Sequence, residues 1–149
     1  MKDSEHIDGG AISRRALLCS FGAVAATAVG FSLDSASAAT GITKVAGGKF
    51  SVDLKANKVL AKVGGAVLFT YKDGTPAALV RTAAGANGLT AISLVCTHMG
   101  VTVGESQGKW ICPAHGSLFA LNGALLGGPA STGLKKYPVT VTATKAVIG

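Results

Sequence analysis

From Lys44 onward the apolar residues occur in short runs, and turn-forming residues separate one run from the next. Residues 59–70 carry apolar positions on both sides of Gly64-Gly65, which predicts two short strands joined by a turn. Further strands are predicted where similar runs recur, at residues 77–81, 89–95, 101–103, 109–111, 118–121 and 137–143. This region shows no heptads, no internal repeat and no long helical pattern.

Turn signals between these runs indicate the fold class. Asp73-Gly74 and Asn122-Gly123 are strong hairpin signals, and residues 85–88 form another glycine-bearing turn. Short strands at intervals of about 8–12 residues are typical of a sandwich or a barrel. We therefore predict an all-β domain.

The first 38 residues follow a different pattern, that of an export signal. Two arginines, Arg14 and Arg15, precede a mildly apolar run over residues 16–33. Ala36 and Ala38 place small residues three and one positions before a cleavage point. The paired arginines make the segment resemble a twin-arginine (Tat) signal, which implies export to the periplasm, cell envelope or exterior.

A retained membrane anchor is the alternative for this segment. A spanning helix needs about 20 apolar residues, whereas this run is slightly shorter and is interrupted by Ser20, Ser32 and Asp34. Residues 39–47 are predicted as a short linker, and residues 48–149 as the all-β domain.

Charge is distributed unevenly along the chain. Residues 1–38 carry three basic and four acidic side chains, whereas residues 39–149 carry eleven basic and three acidic ones. Such a basic domain favours an acidic docking face on a protein partner, or association with an anionic membrane face. The lysines are scattered and are not interleaved with aromatic residues, so we do not expect nucleic-acid binding.

The candidate chemistry lies in two short segments that hold both cysteines and both histidines of residues 39–149. They are Cys96-Thr97-His98-Met99-Gly100 and Cys112-Pro113-Ala114-His115-Gly116-Ser117. Thiolate and imidazole are strong metal ligands, and each spacing lets one tight loop present both side chains.

The two segments resemble the cluster-binding boxes of the Rieske family, and the resemblance extends over about residues 48–149. Thirteen residues separate His98 from Cys112. The resemblance implies one Rieske-type 2Fe–2S cluster, with Cys96 and Cys112 on an inner iron and His98 and His115 on an outer, solvent-facing iron. It also implies a Rieske-type antiparallel β sandwich or barrel with a cluster-binding subdomain of two loops.

Further residues extend this resemblance. Gly100, Pro113 and Gly116 match family positions in the cluster-binding boxes. Ser117 matches the serine whose hydroxyl bonds a bridging sulfide, and Gly128-Pro129 resembles the proline loop of the family.

Three positions depart from the high-potential members of the family. Val101 and Ala114 stand where many members carry two further cysteines that cross-link the loops. Phe119 stands where high-potential members carry a tyrosine that donates to a ligating sulfur. Hydrogen bonds to sulfur favour the reduced cluster, so the loss of one lowers the reduction potential. We therefore expect a reduction potential in the middle or lower part of the range of Rieske centres, which runs from about −150 to +300 mV.

Other uses of the same side chains stay open at this point. Two cysteines and two histidines could hold zinc in a tetrahedral site. A disulfide between Cys96 and Cys112 is chemically reasonable in an exported protein, but it leaves both histidines unexplained. Nothing else in the motif requires a Cys–His nucleophilic pair.

Electron transfer is the function that the resemblance implies, with no catalytic residue and no small-molecule substrate of its own. We expect a free carrier or a small subunit of an oxidoreductase, with redox proteins as partners. The alternative is the Rieske subunit of a cytochrome bc-type respiratory complex, anchored by its N-terminal segment. A Rieske oxygenase is not expected, because its mononuclear iron site needs further His and carboxylate ligands, and residues 39–149 hold only two histidines.

Overall fold

The computed structural model describes residues 36–149, and in this range all regular structure is β apart from short 3-10 turns. The all-β prediction is therefore confirmed. No helix in this range is long and apolar enough to cross a membrane. In chain order the strands are β1 (Ala36–Ala38), β2 (Ile42–Val45), β3 (Lys49–Asp53), β4 (Ala66–Thr70), β5 (Pro76–Arg81), β6 (Leu89–Ser93), β7 (Gly104–Ser106), β8 (Lys109–Ile111), β9 (Leu118–Ala120), β10 (Leu125–Gly127), β11 (Lys136–Tyr137), β12 (Val139–Val141) and β13 (Lys145–Ile148).

The strands form three sheets. A central sheet has the order β1-β4-β5-β6-β11, and two four-stranded sheets have the orders β12-β13-β3-β2 and β10-β9-β8-β7. All pairs of neighbouring strands are antiparallel except β1 and β4, which are parallel. The chain leaves the central sheet after β6, forms the sheet β7–β10, and returns at β11.

Both faces of the central sheet are buried, as strand β5 illustrates. Ala77 and Leu79 belong to a core with the β12-β13-β3-β2 sheet, which contributes Val52. The alternate residues Ala78 and Val80 belong to a second core, which also includes residues of the β7–β10 sheet. Successive side chains of a strand point to opposite faces, so a continuous apolar run fits a sheet covered on both sides.

Two predicted strands are replaced by other structures. Residues 59–63 do not form a strand, because Lys58–Ala61 is a 3-10 turn in which the Leu60 N–H donates to the Asn57 carbonyl (3.0 Å). Residues 101–103 contribute one isolated bridge, between Thr102 and Val95. On one side of this bridge the Val103 N–H donates to the Leu94 carbonyl (2.8 Å), and on the other the Val101 carbonyl accepts from the Cys96 N–H (2.9 Å) and closes the first candidate loop.

The predicted strand at 137–143 is interrupted at Pro138, which has no N–H to donate. Its two parts belong to different sheets, β11 in the central sheet and β12 in the outer one. Residues 39–47, which were predicted to form a linker, contain a strand instead. This strand, β2, pairs with β3, with Thr43 opposite Ser51. The predicted turn at Asn122-Gly123 is confirmed, because the Gly123 N–H donates to the Ala120 carbonyl (2.8 Å).

Candidate metal centre

The first loop, residues 96–100, is closed by two backbone hydrogen bonds. The Cys96 N–H donates to the Val101 carbonyl (2.9 Å), and the Gly100 N–H donates to the Cys96 carbonyl (2.9 Å). Gly100 has φ +73°, a left-handed conformation that residues with a side chain rarely adopt. The turn therefore depends on glycine at this position. Within this loop His98 is exposed, whereas the Cys96 thiol is buried.

The second loop, residues 112–117, repeats this arrangement. The Cys112 N–H donates to the Ser117 carbonyl (2.9 Å), and the Gly116 N–H donates to the Cys112 carbonyl (3.0 Å). Gly116 has φ +72°, and Pro113 lies exposed at the start of the turn. Both predicted loop glycines thus act through their backbone conformation.

The four candidate ligands separate into a buried sulfur pair and an exposed nitrogen pair. Cys96 is 2% exposed and Cys112 is 1% exposed, and both thiols are free. His98 and His115 are both exposed, with ring centroids 4.9 Å apart and ring planes at 84°. The two loops therefore present sulfur on their inner side and imidazole nitrogen on their outer side.

The surroundings of Cys96 favour its thiolate form. Burial alone would raise the pKa of this thiol. Hydrogen bonds from the His98 and Met99 backbone N–H groups and from the side chains of Cys112 and Ser117 lower it, and together they bring the pKa below its ordinary value. Because the thiolate is the form that binds metal, these contacts prepare the sulfur for ligation.

This donor set fits an iron–sulfur cluster with one all-sulfur and one mixed-ligand iron. In residues 36–149 no three His, Cys, Asp or Glu side chains gather around a single point. The Cys112 side chain contributes to lowering the pKa of Cys96, and the ring centroids of the two imidazoles are 4.9 Å apart. Two pairs of donors, one buried and one exposed, suit two metal atoms at different depths.

A third loop, residues 128–134, braces the other two. The Ala130 N–H donates to the fully buried Ser117 Oγ (3.2 Å), and the Thr97 hydroxyl donates to the Thr132 carbonyl (2.7 Å). A Cβ at Gly128, where φ is +94°, would lie 2.6 Å from the Ser117 Cα. Sequence reasoning marked Gly128-Pro129 through its resemblance but missed Ala130 and Thr132, since they act through backbone atoms.

The positions that depart from the high-potential pattern have ordinary roles in this structure. Val101 is half-buried against the core, and Ala114 is exposed. The loops are joined by the hydrogen bonds of the third loop. Phe119 is fully buried in the same core as both cysteines, so a ring without a hydroxyl occupies this position.

Comparison with known proteins gives an independent view of this arrangement. A model of the Rieske [2Fe-2S] domain matches residues 51–138. The cytochrome b6-f complex iron-sulfur subunit of Synechococcus elongatus is 32% identical over 136 residues, which cover 84% of this chain and 76% of that subunit. The subunit of the same name from Chlorobaculum thiosulfatiphilum is 36% identical over 62 residues, 40% of this chain and 34% of the relative.

A solved structure supports the same fold. The cyanobacterial plasma membrane Rieske protein PetC3 from Synechocystis PCC 6803 superposes with a TM-score of 0.52 at 27% identity. The match covers 65% of this chain and 94% of that protein. The family model spans more than half of the chain, and the Synechococcus subunit aligns over most of its own length. The chain therefore belongs to the Rieske [2Fe-2S] domain family, with a 2Fe–2S cluster as its cofactor.

Proposed function

We propose that this protein transfers single electrons outside the cytoplasm, as a free carrier or as a small subunit of an oxidoreductase. In this proposal Cys96 and Cys112 hold the inner iron, and His98 and His115 hold the outer iron. The observation that carries the proposal is the separation of two buried thiols from two exposed imidazoles on adjoining loops. The bound cluster supplies a redox site that accepts and releases one electron.

The protein's own groups prepare this site. The hydrogen bonds at Cys96 offset the cost of burying a thiolate, and the third loop donates a hydrogen bond to the buried Ser117 hydroxyl. The exposed imidazoles would give a partner protein direct contact with the ligands of the outer iron. Such contact shortens the distance that the electron has to cross.

Elemental analysis and a redox titration test this function. We expect about two irons and two acid-labile sulfides per chain, the content of one 2Fe–2S cluster. The titration should follow a one-electron curve. Protein that binds zinc and takes up no electron would contradict the proposal.

A membrane-anchored form is the second candidate, and strand β1 favours it. Ala36–Ala38, which holds the small residues of the predicted cleavage site, pairs with β4. The Ala39 N–H donates to the Leu68 carbonyl (2.9 Å), and the Asn57 side chain donates to the Thr40 carbonyl (2.7 Å). A protein that folds around its cluster before export would present this segment paired in a sheet, and cleavage is concentrated in exposed, unpaired chain.

Sequencing the N-terminus of the purified protein distinguishes the two forms. If pairing with β4 protects the segment, the chain should start upstream of Ala36 and still contain Arg14-Arg15. A start at Ala39 would contradict the protection argument and identify a released carrier.

Replacing Ser117 with alanine should lower the reduction potential. Ser117 is fully buried and matches the family serine whose hydroxyl bonds a bridging sulfide, and a hydrogen bond to a charged group contributes about 1.5–3 kcal/mol, which corresponds to roughly 60–130 mV for one electron. Protein-film voltammetry of the two proteins measures the difference. An unchanged potential would show that the hydroxyl does not act on the cluster. Ser51→Ala, at a buried serine of strand β3, is the matched control.

Replacing Phe119 with tyrosine should raise the potential. Phe119 is fully buried in the core that holds Cys96 and Cys112, and it stands where high-potential members of the family carry a tyrosine that donates to a ligating sulfur. Phe50→Tyr is the control, because Phe50 packs against Phe69 and Tyr71 in another part of the domain. If the reduction potential of the Phe119 variant stayed level or fell, the absence of a tyrosine hydroxyl at this position would not explain a low potential.

A further inference from the structure

The loops of the candidate metal centre differ from the rest of the domain in their side-chain composition. The first, second and third loops contain no Lys, Arg, Asp or Glu. Two large apolar side chains are exposed in or beside these loops, Met99 at 65% and Leu126 at 53%. A redox partner that touches the imidazoles would therefore meet loops that are partly apolar and hold no lysine, arginine or carboxylate side chain, and the lysines of the domain must act elsewhere.

Four lysines surround an aromatic groove in another part of the domain, and we name this surface the lysine face (Lys44, Lys49, Lys72 and Lys135). The groove has a volume of about 510 Å³, and its lining includes Lys44 and Lys72. All four lysines are exposed. Lys49 lies beside the groove, since both it and the Tyr71 hydroxyl approach Gly149.

Aromatic rings connect the members of the lysine face. The ring centroids of Phe50 and Tyr71 are 5.2 Å apart, and those of Tyr71 and Tyr137 are 4.2 Å apart. The three rings lie beneath three ammonium groups, with Nζ-to-centroid distances of 5.9 Å for Lys44 over Phe50, 5.4 Å for Lys72 over Tyr71 and 5.8 Å for Lys135 over Tyr137.

Little negative charge is available to neutralise these lysines. Residues 39–149 contain three carboxylate side chains, and two of them accept hydrogen bonds from backbone N–H groups: Asp53 from Lys55 and Ala56, and Glu105 from Gly108. Only Asp73 lines the groove. The lysine face therefore has a net positive charge and fits an anionic partner.

The side-chain types favour a lipid surface over a protein. Lysine is a flexible point charge, whereas arginine is preferred for paired contacts to carboxylates in protein interfaces. The single arginine of residues 39–149, Arg81, donates instead to the Leu60 and Gly85 carbonyls. Lysine stems over aromatic rings are typical of surfaces that meet phospholipid headgroups. Val45, next to Lys44, is 38% exposed and adds an apolar contact.

We propose that the lysine face docks the domain onto the anionic phospholipid headgroups of a membrane surface. This leaves the surface around His98 and His115 to engage a redox partner. The docking does not depend on which residues hold the cluster, so iron content and vesicle binding can fail independently of each other.

Vesicle sedimentation with the full-length, cluster-loaded protein tests this proposal. The vesicles contain either phosphatidylcholine alone or phosphatidylcholine with phosphatidylglycerol. The difference in binding between the two vesicle types measures the electrostatic contribution and excludes any binding by the N-terminal apolar run. The test variant carries Lys44→Gln, Lys49→Gln, Lys72→Gln and Lys135→Gln. A control with the same change in net charge replaces four exposed lysines outside the face, Lys55, Lys58, Lys62 and Lys109.

We expect the test variant to bind phosphatidylglycerol vesicles roughly several hundredfold more weakly than the parent, because each of the four lysines contributes about 1 kcal/mol, or about fivefold. The control should keep most of this binding, and high salt should abolish it in the parent protein. Inorganic phosphate at constant ionic strength should compete weakly. If both variants lost vesicle binding equally, the net charge of the domain alone would explain the binding, and the proposal would be wrong. Retained vesicle binding in a test variant that loses its reaction with an acidic redox protein would assign the face to a protein partner.

Discussion

Replacing Cys112 with serine is expected to yield a folded but colourless protein that holds less than roughly a tenth of the parent's iron. Cys112 is 1% exposed, and its side chain contributes to lowering the pKa of Cys96. A serine hydroxyl is a poor ligand for iron at neutral pH, because it ionises far less readily than a thiol. Iron content and visible absorption of the purified variant measure the loss.

The chain provides a control for this substitution in its third cysteine. Cys19 lies outside the described residues, in the predicted export signal. Cys19→Ser should retain the full iron content and colour. If the Cys112 variant kept its cluster while the Cys19 variant lost it, the assignment of the inner ligands would be wrong.

Replacing Gly128 with alanine is expected to destabilise the centre from outside the ligand set. The new Cβ would lie 2.6 Å from the Ser117 Cα and 3.0 Å from the Gly116 carbonyl oxygen, and the residue would have to keep φ +94°. The strain and the overlap together should lower the free energy of unfolding by about 2–5 kcal/mol. Separation of the third loop from the second should also speed cluster loss in air. Thermal unfolding and the decay of visible absorption measure both effects.

The neighbouring glycine is the matched control. A Cβ at Gly127 would meet no atom within 4 Å. Gly127→Ala should therefore leave stability and cluster lifetime close to those of the parent. Equal behaviour of the two variants would show that the close approach of the third loop to Ser117 has no effect on the centre.

The chemistry of the candidate centre was predictable because both loops are local in sequence. Each Cys–His pair and its following glycine lie within five residues, so the motif specifies the turn as well as the donors. Gly100 and Gly116 have the left-handed conformation that such turns need. The Asn122-Gly123 turn was predictable for the same reason.

Features that depend on distant backbone atoms left no signal in the sequence. The Thr97 hydroxyl donates to a carbonyl 35 residues away, and any residue could supply that carbonyl. Strand β1 pairs in parallel with β4, although its residues are small and part of the predicted export signal. Pro138 marks a break between strands, but only the packing shows that β11 and β12 belong to different sheets.

Electron paramagnetic resonance of the reduced protein, recorded with resolution of nitrogen couplings, tests the mixed ligand set most directly. We predict one unpaired electron on a 2Fe–2S cluster coupled to two imidazole nitrogens. One of these couplings should be lost or altered in each of the variants His98→Cys and His115→Cys. A reduced cluster without nitrogen couplings, or protein that contains zinc and gives no signal, would contradict the assignment.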